Sequence, residues 1–312
     1  MKPALYHIRF RARFVKGQRV KAEDFKTKDI TDLTKPASLP LPLDGRVSSV
    51  FHLIETQQLT IHFGGLAAVN EVDFHMVEGE VVGLIGPNGS GKTTFFNLLT
   101  GIYRPTGGFI RYQGENLVGL PAFKIAKRGI ARTFQNNRLF LNLSVLDNIL
   151  IGMHPHQSSN WFDAIFWRRY TERELRTGVE KGLALLDQFG QDLAENCYRR
   201  AADLPQADRR RVEICRALAS NPKLLLLDEP SAGMSPEETE VLMGDIRKVR
   251  ERVKGIGMVI IEHDMMVIKG VAERVVVLNY GRKIAEGTFD EISNNEEVLE
   301  AYLGREEKDV AA

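Results

Sequence analysis

The stretch Gly86-Pro87-Asn88-Gly89-Ser90-Gly91-Lys92-Thr93 fits G-x-x-x-x-G-K-[ST], the phosphate-binding P-loop pattern. An apolar run, Val81-Val82-Gly83-Leu84-Ile85, precedes it and reads as a strand. Thr94-Phe95-Phe96-Asn97-Leu98-Leu99 follows and reads as the start of a helix. That strand–loop–helix setting is what turns the pattern into a site. Glycines let the backbone bend so that successive N–H groups point at a phosphate. The helix N-terminus adds partial positive charge. Lys92 reaches the β- and γ-phosphates of a nucleotide, and the Thr93 hydroxyl suits Mg²⁺. Thr94 completes the phosphate-binding set.

A second group of residues suits the chemistry of a bound nucleoside triphosphate. The apolar run Leu224 to Leu227 ends in Asp228-Glu229. Asp228 fits an Mg²⁺ shell, because that ion takes oxygen ligands and keeps much of its water. Glu229 is placed to orient and deprotonate an attacking water. His263 ends another buried run, in Ile261-Glu262-His263-Asp264, where its imidazole reaches the γ-phosphate and the water. Gln135, in Arg132-Thr133-Phe134-Gln135-Asn136, offers an amide to Mg²⁺ or to the water. Phe63 lies 29 residues before Lys92 and suits stacking on adenine. Each has a plainer alternative: acids commonly end strands, a strand-end His is often structural, and Phe63 fits ordinary strand packing.

The rest of the chain must position these groups. Leu53 to His62 and Glu71 to Met76 read as strands with a Gly64-Gly65 break, and Phe109 to Tyr112 as another. From about residue 136 to 203 the pattern turns helical: Ser144 caps one helix, and Thr171 to Phe189 is long and amphipathic. An aromatic cluster, Trp161, Phe162, Phe166 and Trp167, lies between them and reads as local core or a docking patch. The α/β rhythm resumes with a helix from Val212 to Ser220. Thr239 to Lys254 is a further helix, and Glu296 to Leu303 the last. Met258 to Ile261 and Val275 to Leu278 are short apolar runs, which suit strands covered on both faces.

Composition sets outer bounds. The 312 residues are 43% hydrophobic and 27% charged, an ordinary globular mixture. No apolar run approaches the roughly 18–20 residues of a transmembrane helix. Cys197 and Cys215 are far apart and lack metal-ligand spacing, which fits a reducing setting. His154 and His156 flank a proline without further metal-ligating neighbours. The net charge of +1 hides an asymmetry: residues 1–50 carry 11 Lys/Arg against 5 Asp/Glu, the remainder 31 against 36. The acidic remainder argues against a nucleic-acid partner. The basic head contains a possible short strand, Leu5 to Val15, and a proline-bearing linker, Thr34 to Pro42, and reads as flexible.

The P-loop, Gln135, Asp228-Glu229 and His263, in this order and spacing, resemble the nucleotide-binding subunits of ABC transporters, over roughly Leu53 to Gly304. Gly129 to Asn136 with Arg138-Leu139-Phe140, Ile261 to Met265, and Asn294 to Gly304 are similar to the branched-chain amino-acid importer ATPases. The resemblance implies an α/β fold: a P-loop NTPase core of ABC type, an inserted helical subdomain and an N-terminal antiparallel β region. It divides the chain into an extension (1–50), an ATPase domain (51–304, helical part about 136–203) and a tail (305–312). It implies ATP and Mg²⁺ as cofactors and a peripheral place on the cytoplasmic face of the membrane. Its implied partners are integral permease subunits, a second ATPase subunit, which the departures below make a heterodimer partner, and indirectly a solute-binding protein. Import of branched-chain amino acids or similar solutes is the expected work. The alternatives are a nucleotide-gated regulatory subunit with little hydrolysis and a soluble non-transport ATPase of the same family.

Two departures from the family pattern stand out. Where the family signature resembles LSGGQ, this chain has Leu204-Pro205-Gln206-Ala207-Asp208. Pro205 lacks a hydroxyl and an N–H donor, and Ala207 adds a Cβ where backbone approaches phosphate. Ser235 stands where many relatives carry aspartate. Both elements act across a dimer in that family.

Overall fold

A computed structural model describes residues 51–135, 138–154 and 168–303. The readings on residues 1–50, His156, the aromatic cluster at 161–167 and the tail at 305–312 lie outside the described residues. The chain opens with β1 (His52–Phe63) and β2 (Leu66–Val77), an antiparallel pair. β4 (Gly107–Tyr112) pairs antiparallel with β1, and the short β5 (Glu115–Asn116) with β4. This antiparallel sheet runs in the order β2-β1-β4-β5.

The second sheet contains β3 (Val81–Ile85), β6 (Ile130–Arg132), β7 (Leu224–Asp228) and β8 (Gly257–Ile261). β9 (Arg274–Asn279) and β10 (Arg282–Gly287) complete it. Its order is β10-β9-β3-β8-β7-β6. β3 is parallel to β8 and β9, and β7 to β8 and β6. Only β10 runs antiparallel to its neighbour. Every residue of β3, β7 and β8 is buried, as expected of parallel strands covered on both faces.

Side-chain alternation divides the core in two. Val82 and Leu84 of β3 cluster with Phe74 of β2 and with Phe95 and Phe96, between the two sheets. Phe95 and Phe96 lie on α1 (Lys92–Leu99). Val81 and Ile85 join the opposite cluster, under the remaining helices. Next along the chain come α2 (Ala122–Lys127), α3 (Val145–Met153), α4 (Arg168–Phe189) and α5 (Gln191–Glu195). α6 (Gln206–Leu218) and α7 (Pro236–Arg252) follow, then α8 (Met265–Val271), α9 (Phe289–Ser293) and α10 (Glu296–Leu303). Val145 and Ile149 of α3, Leu186 and Phe189 of α4, and Val212 and Ile214 of α6 all belong to this second cluster. Cys197 and Cys215 are buried in it as well, and burial pushes both thiols above their ordinary range. Neither is a reactive thiolate. Among the described residues, no helix is long and apolar enough to cross a membrane.

The pattern-based reading differs from the structure at helix starts. It begins α6 at Val212, but the helix begins at Gln206. The arginines that interrupt the apolar pattern there are held by ion pairs: Arg210 with Glu213, and Arg211 with Asp208 and Asp245. It begins α7 at Thr239, but the helix begins at Pro236, behind a capping box. The Ser235 hydroxyl accepts from Glu238 N at 3.2 Å, and the Glu238 carboxylate accepts from Ser235 N at 2.9 Å. Ser144 is confirmed as the cap of α3, paired with Asp147 in the same way. α8, α9 and β10 are too short to rise above the local pattern.

Ser and Asp cap helices about equally well. Ser235 in place of aspartate therefore leaves the start of α7 intact. We expect Ser235→Ala to lower unfolding stability by about 1 kcal/mol and Ser235→Asp to leave it near the wild-type value. Urea denaturation of the three proteins measures this. Equal losses in both variants would show that the cap is not the stabilising element.

Candidate functional site

Parallel strands place their C-terminal ends at one edge of a sheet, and that edge is where ligands bind in open α/β folds. Here the P-loop follows β3, Asp228 closes β7 with Glu229 next, Glu262-His263 follow β8, and Thr133 to Gln135 follow β6. Groups separated by up to 177 positions in the chain thus share one edge.

The loop itself is shaped by close backbone approaches. Gly86 has φ 147°, and a Cβ there would lie 2.0 Å from the Leu278 carbonyl oxygen. Gly91 has φ 101°, and its Cβ would lie 2.4 Å from the Ala68 carbonyl oxygen. Both conformations favour glycine, and both approaches exclude a side chain. Gly91 caps α1, its carbonyl accepting from Phe95 N at 2.8 Å. Ser90 is buried, and its carbonyl accepts from Gly281 N at 3.0 Å. Pro87 is half-buried, Asn88, Gly89 and Thr93 are exposed, and Thr94 is half-buried.

Lys92 folds back over its own loop. Its ammonium donates to the carbonyls of Gly86 at 2.7 Å and Pro87 at 2.9 Å, and to Ser90 Oγ at 3.4 Å. Burial pulls this amine below its ordinary range, and the nearby Glu229 and Asp228 carboxylates oppose that shift.

Three of the expected residues meet at one carboxylate. Glu229 Oε1 lies 2.7 Å from His263 Nε2, and Glu229 Oε2 accepts from Gln135 Nε2 at 2.8 Å. A carboxylate only accepts, so the imidazole places its proton on Nε2. Glu229 itself has φ 48°, a left-handed conformation that is uncommon outside glycine. Its N–H donates to the Ile261 carbonyl on β8 at 2.9 Å, which holds the turn. Backbone strain of this kind is a feature of functional positions.

Asp228 is almost fully buried. Its Oδ2 pairs with Arg132 Nη2 at 2.7 Å, and its N–H donates to Thr133 Oγ1 at 3.2 Å. Arg132 also reaches Asn97 Oδ1 at 2.6 Å, and its guanidinium lies over the Phe96 and Phe134 rings. Burial draws Arg132 below its ordinary range, and Asp228 opposes this. Among the described residues, Asp228 Oδ1 is buried with no hydrogen-bond partner. An oxygen left over in this way suits a hard cation, and Thr93 and Gln135 offer further oxygen donors of the kind Mg²⁺ takes. The residues fit that ion.

Phe63 stands apart from this convergence. It is about half exposed at the end of β1, and its ring meets Tyr103 edge-on at 5.2 Å.

Sequence reasoning did not single out Arg132, Thr133 or Glu262. Glu262 is buried, accepts from Ser231 N at 2.8 Å and Ser231 Oγ at 2.7 Å, and accepts from His263 N at 3.2 Å. Burial raises its carboxyl above the usual range. A charged residue directly after a fully apolar strand was the available signal, the same one that marks Asp228.

A family model described as ABC transporter matches residues 69–232, about half of the chain. The chain belongs to the ATP-binding cassette family of ABC transporters. A second model, Branched-chain amino acid ATP-binding cassette transporter, matches residues 282–308 of this cassette. The cassette is 42% identical over 252 residues to the high-affinity branched-chain amino acid transport ATP-binding protein BraF of Pseudomonas aeruginosa. It is 40% identical over 252 residues to LivG of Escherichia coli K12, which carries the same description. Each alignment spans 81% of this chain and 98% of the relative. A solved nucleotide-free cassette from an ABC transporter superposes with TM-score 0.70 at 29% identity, over 81% of this chain and all of that one. The fold is that of a P-loop ABC ATPase, and ATP hydrolysis is its chemistry.

Lys92 supplies the one ammonium at the centre of the loop. A hydrogen bond to a charged group contributes about 1.5–3 kcal/mol, or roughly 10- to 100-fold in affinity. We expect Lys92→Ala to weaken Mg-ATP binding by at least roughly 10-fold, measured by calorimetry on the full chain. Unchanged affinity would remove the P-loop from the nucleotide site.

Proposed function

We propose that this chain drives import of branched-chain amino acids, docked on integral permease subunits at the cytoplasmic face of the membrane. The observation that carries the enzymatic part is the meeting of Gln135, Glu229 and His263 at hydrogen-bond distance beside the P-loop. The solute is carried by the descriptions of BraF and LivG and by the match at residues 282–308. The working division is an extension (1–50), the ATPase domain (51–304, helical part about 136–203) and a tail (305–312).

In this reading Gly86 to Thr94 cradle the triphosphate. Its oxygens take the Lys92 N–H groups in place of the Gly86 and Pro87 carbonyls. Mg²⁺ would be held by Thr93, Gln135 and Asp228, and it would neutralise charge on the phosphates. Glu229 orients a water and takes its proton as the water oxygen bonds to the γ-phosphorus and the β–γ bridging bond breaks. His263 and Gln135 fix the Glu229 carboxylate from two sides. Phe63 serves as the adenine platform. The same convergence argues against a subunit that binds ATP without hydrolysing it.

An apolar groove supports the permease contact. Ile102, Ile125, Phe134, Phe140 and Ile151 line a cleft of about 380 Å³, with Arg132 and Glu213 also in its wall. Phe140, Ile102 and Ile151 are all substantially exposed there. The solute-binding protein takes part indirectly, through the permease.

A positioned general base is typically worth ~10²–10⁴-fold. In membranes carrying the assembled transporter, Glu229→Gln should keep ATP binding, lower phosphate release by that factor, and abolish ATP-dependent uptake of labelled leucine, isoleucine and valine. Wild-type phosphate release would refute the role of Glu229. Full uptake of an unrelated solute with none of these three would refute the substrate.

The second ATPase subunit is read as a different chain. Pro205 is the N-cap residue of α6 and makes no side-chain cap. The helix N-terminus that would face a partner's γ-phosphate thus lacks one hydroxyl and one N–H. A homodimer would combine two good P-loops with two weak signatures. The lone chain should hydrolyse ATP feebly, and adding the partner subunit should raise the rate. Pro205→Ser with Ala207→Gly should raise the lone chain's rate by about 10-fold, the value of one hydrogen bond to phosphate, and the mixed complex's rate by less. Equal rates per site in lone and mixed preparations would count against the asymmetry.

A further inference from the structure

α6 begins at the signature and makes a second set of contacts, away from its tip. Arg210 and Glu213 lie one turn apart on it, and both side chains are nearly fully buried. Arg210 Nη1 donates to Glu213 Oε2 at 2.8 Å. The pair also bonds to the backbone around Gln135. Arg210 Nη1 donates to the Phe134 carbonyl at 2.8 Å, and Nη2 to the Gln135 carbonyl at 3.0 Å. Glu213 Oε1 accepts from Phe134 N and from Arg138 N, each at 3.4 Å. One turn further, Arg216 Nη1 donates to the Arg138 carbonyl at 2.6 Å.

An ion pair buried this deeply is poor evidence for stability, since desolvation offsets its Coulomb attraction. An i,i+3 pair on one helix also needs no outside partner to form. What these two side chains add is geometric. They hold the Phe134 N–H and C=O, the Gln135 C=O and the Arg138 N–H, through planar donors and acceptors that tolerate little rotation. The Gln135 side chain is then free to reach Glu229 Oε2 at 2.8 Å.

We propose that Arg210 and Glu213 are positioning residues for hydrolysis, tying the placement of the Gln135 amide at Glu229 to the placement of the signature helix. This rests on the role of Gln135 given above. Any displacement of α6, at whose start the signature meets a partner's nucleotide, is carried through the pair to the Gln135 backbone. The pair thereby links a chain's signature to the amide in its own site.

The test is a double-mutant cycle on steady-state ATPase of the full chain in its membrane complex. Arg210→Lys keeps the charge and removes the planar fork. Displacement of a catalytic group by about 1 Å can cost roughly 10²-fold. The expected result is a kcat lowered by roughly 10-fold or more, with the KM for ATP within about 2-fold of wild type. In the Gln135→Ala background the same substitution should change kcat by less than about 2-fold, because coupled residues are not additive. Glu213→Gln should behave likewise and carries the cycle if Arg210→Lys fails to accumulate. Losses that multiply in the double mutant, or a shift in KM alone, would overturn the positioning role while leaving Gln135 in place. A wild-type kcat in Gln135→Ala would remove the role of Gln135 and this proposal with it.

Discussion

Parallel pairing of β3, β8, β7 and β6 is the constraint on which the site depends. It sends four chain segments over one edge in a fixed spatial order. The P-loop emerges beside His263, His263 beside Asp228-Glu229, and that pair beside Thr133 to Gln135. A register slip of one residue in β7 would exchange the two faces of the strand. Within Leu224–Leu227 such a slip would put leucine for leucine on both faces, so the ends of the run set the register. A slip one way carries Asp228 into the apolar place of Leu227, and a slip the other way carries the exposed Lys223 into the place of Leu224. The polar residues that bound the strand therefore fix where Asp228 and Glu229 stand.

Within that frame, the site is held by charged groups that are only partly satisfied. Arg132 and Asp228 are paired and buried, yet Arg132 Nε and Asp228 Oδ1 have no partner among the described residues. A half-satisfied buried network is costly compared with an apolar core. Lys92, by contrast, has its three ammonium donors taken up within its own loop, by the Gly86 and Pro87 carbonyls and Ser90 Oγ, and burial lowers its basicity. On the reading proposed above, Lys92 would turn to anionic phosphate and Asp228 to a cation. Preorganisation of this sort trades stability of the free protein for electrostatic complementarity to the ligand.

Much of this was legible in the sequence because the carriers are local. The P-loop, the apolar runs that end in Asp228 and His263, and the capping Ser144 each declare themselves within about ten residues. The antiparallel sheet was legible in part, since Leu59 to His62 alternates while the bulges that interrupt β1 leave no such trace. Long-range polar contacts were hidden. Nothing in a single chain marks Arg132 as the partner of Asp228, 96 positions on, or Glu213 as an acceptor for Phe134 N, 79 positions back. Residues such as Arg210 looked like a break in a helix, because a pattern built on apolar spacing has no place for a buried guanidinium.

The hidden contacts also form a continuous set. Gln206, inside the signature, donates from Nε2 to the Ala232 carbonyl at 3.3 Å, and a Cβ on Gly233 would lie 2.7 Å from the same nitrogen. Ser231, next in that loop, donates to Glu262, whose carboxylate also accepts from His263 N. His263 holds Glu229, Glu229 holds Gln135, and the Gln135 backbone returns to α6 through Arg210. α6 is thus bonded to the Glu229 carboxylate by two routes, one through the loop after β7 and one through the segment after β6. A rotation of α6 would therefore strain or break the contacts at Gln135, at the 231–233 loop, or at both. On the dimer reading proposed above, the ring would give occupancy of one site a mechanical path to the geometry of the other. Coupling of this kind needs a physically contiguous network with two arrangements. The structure shows the contiguous network within one chain, in one arrangement.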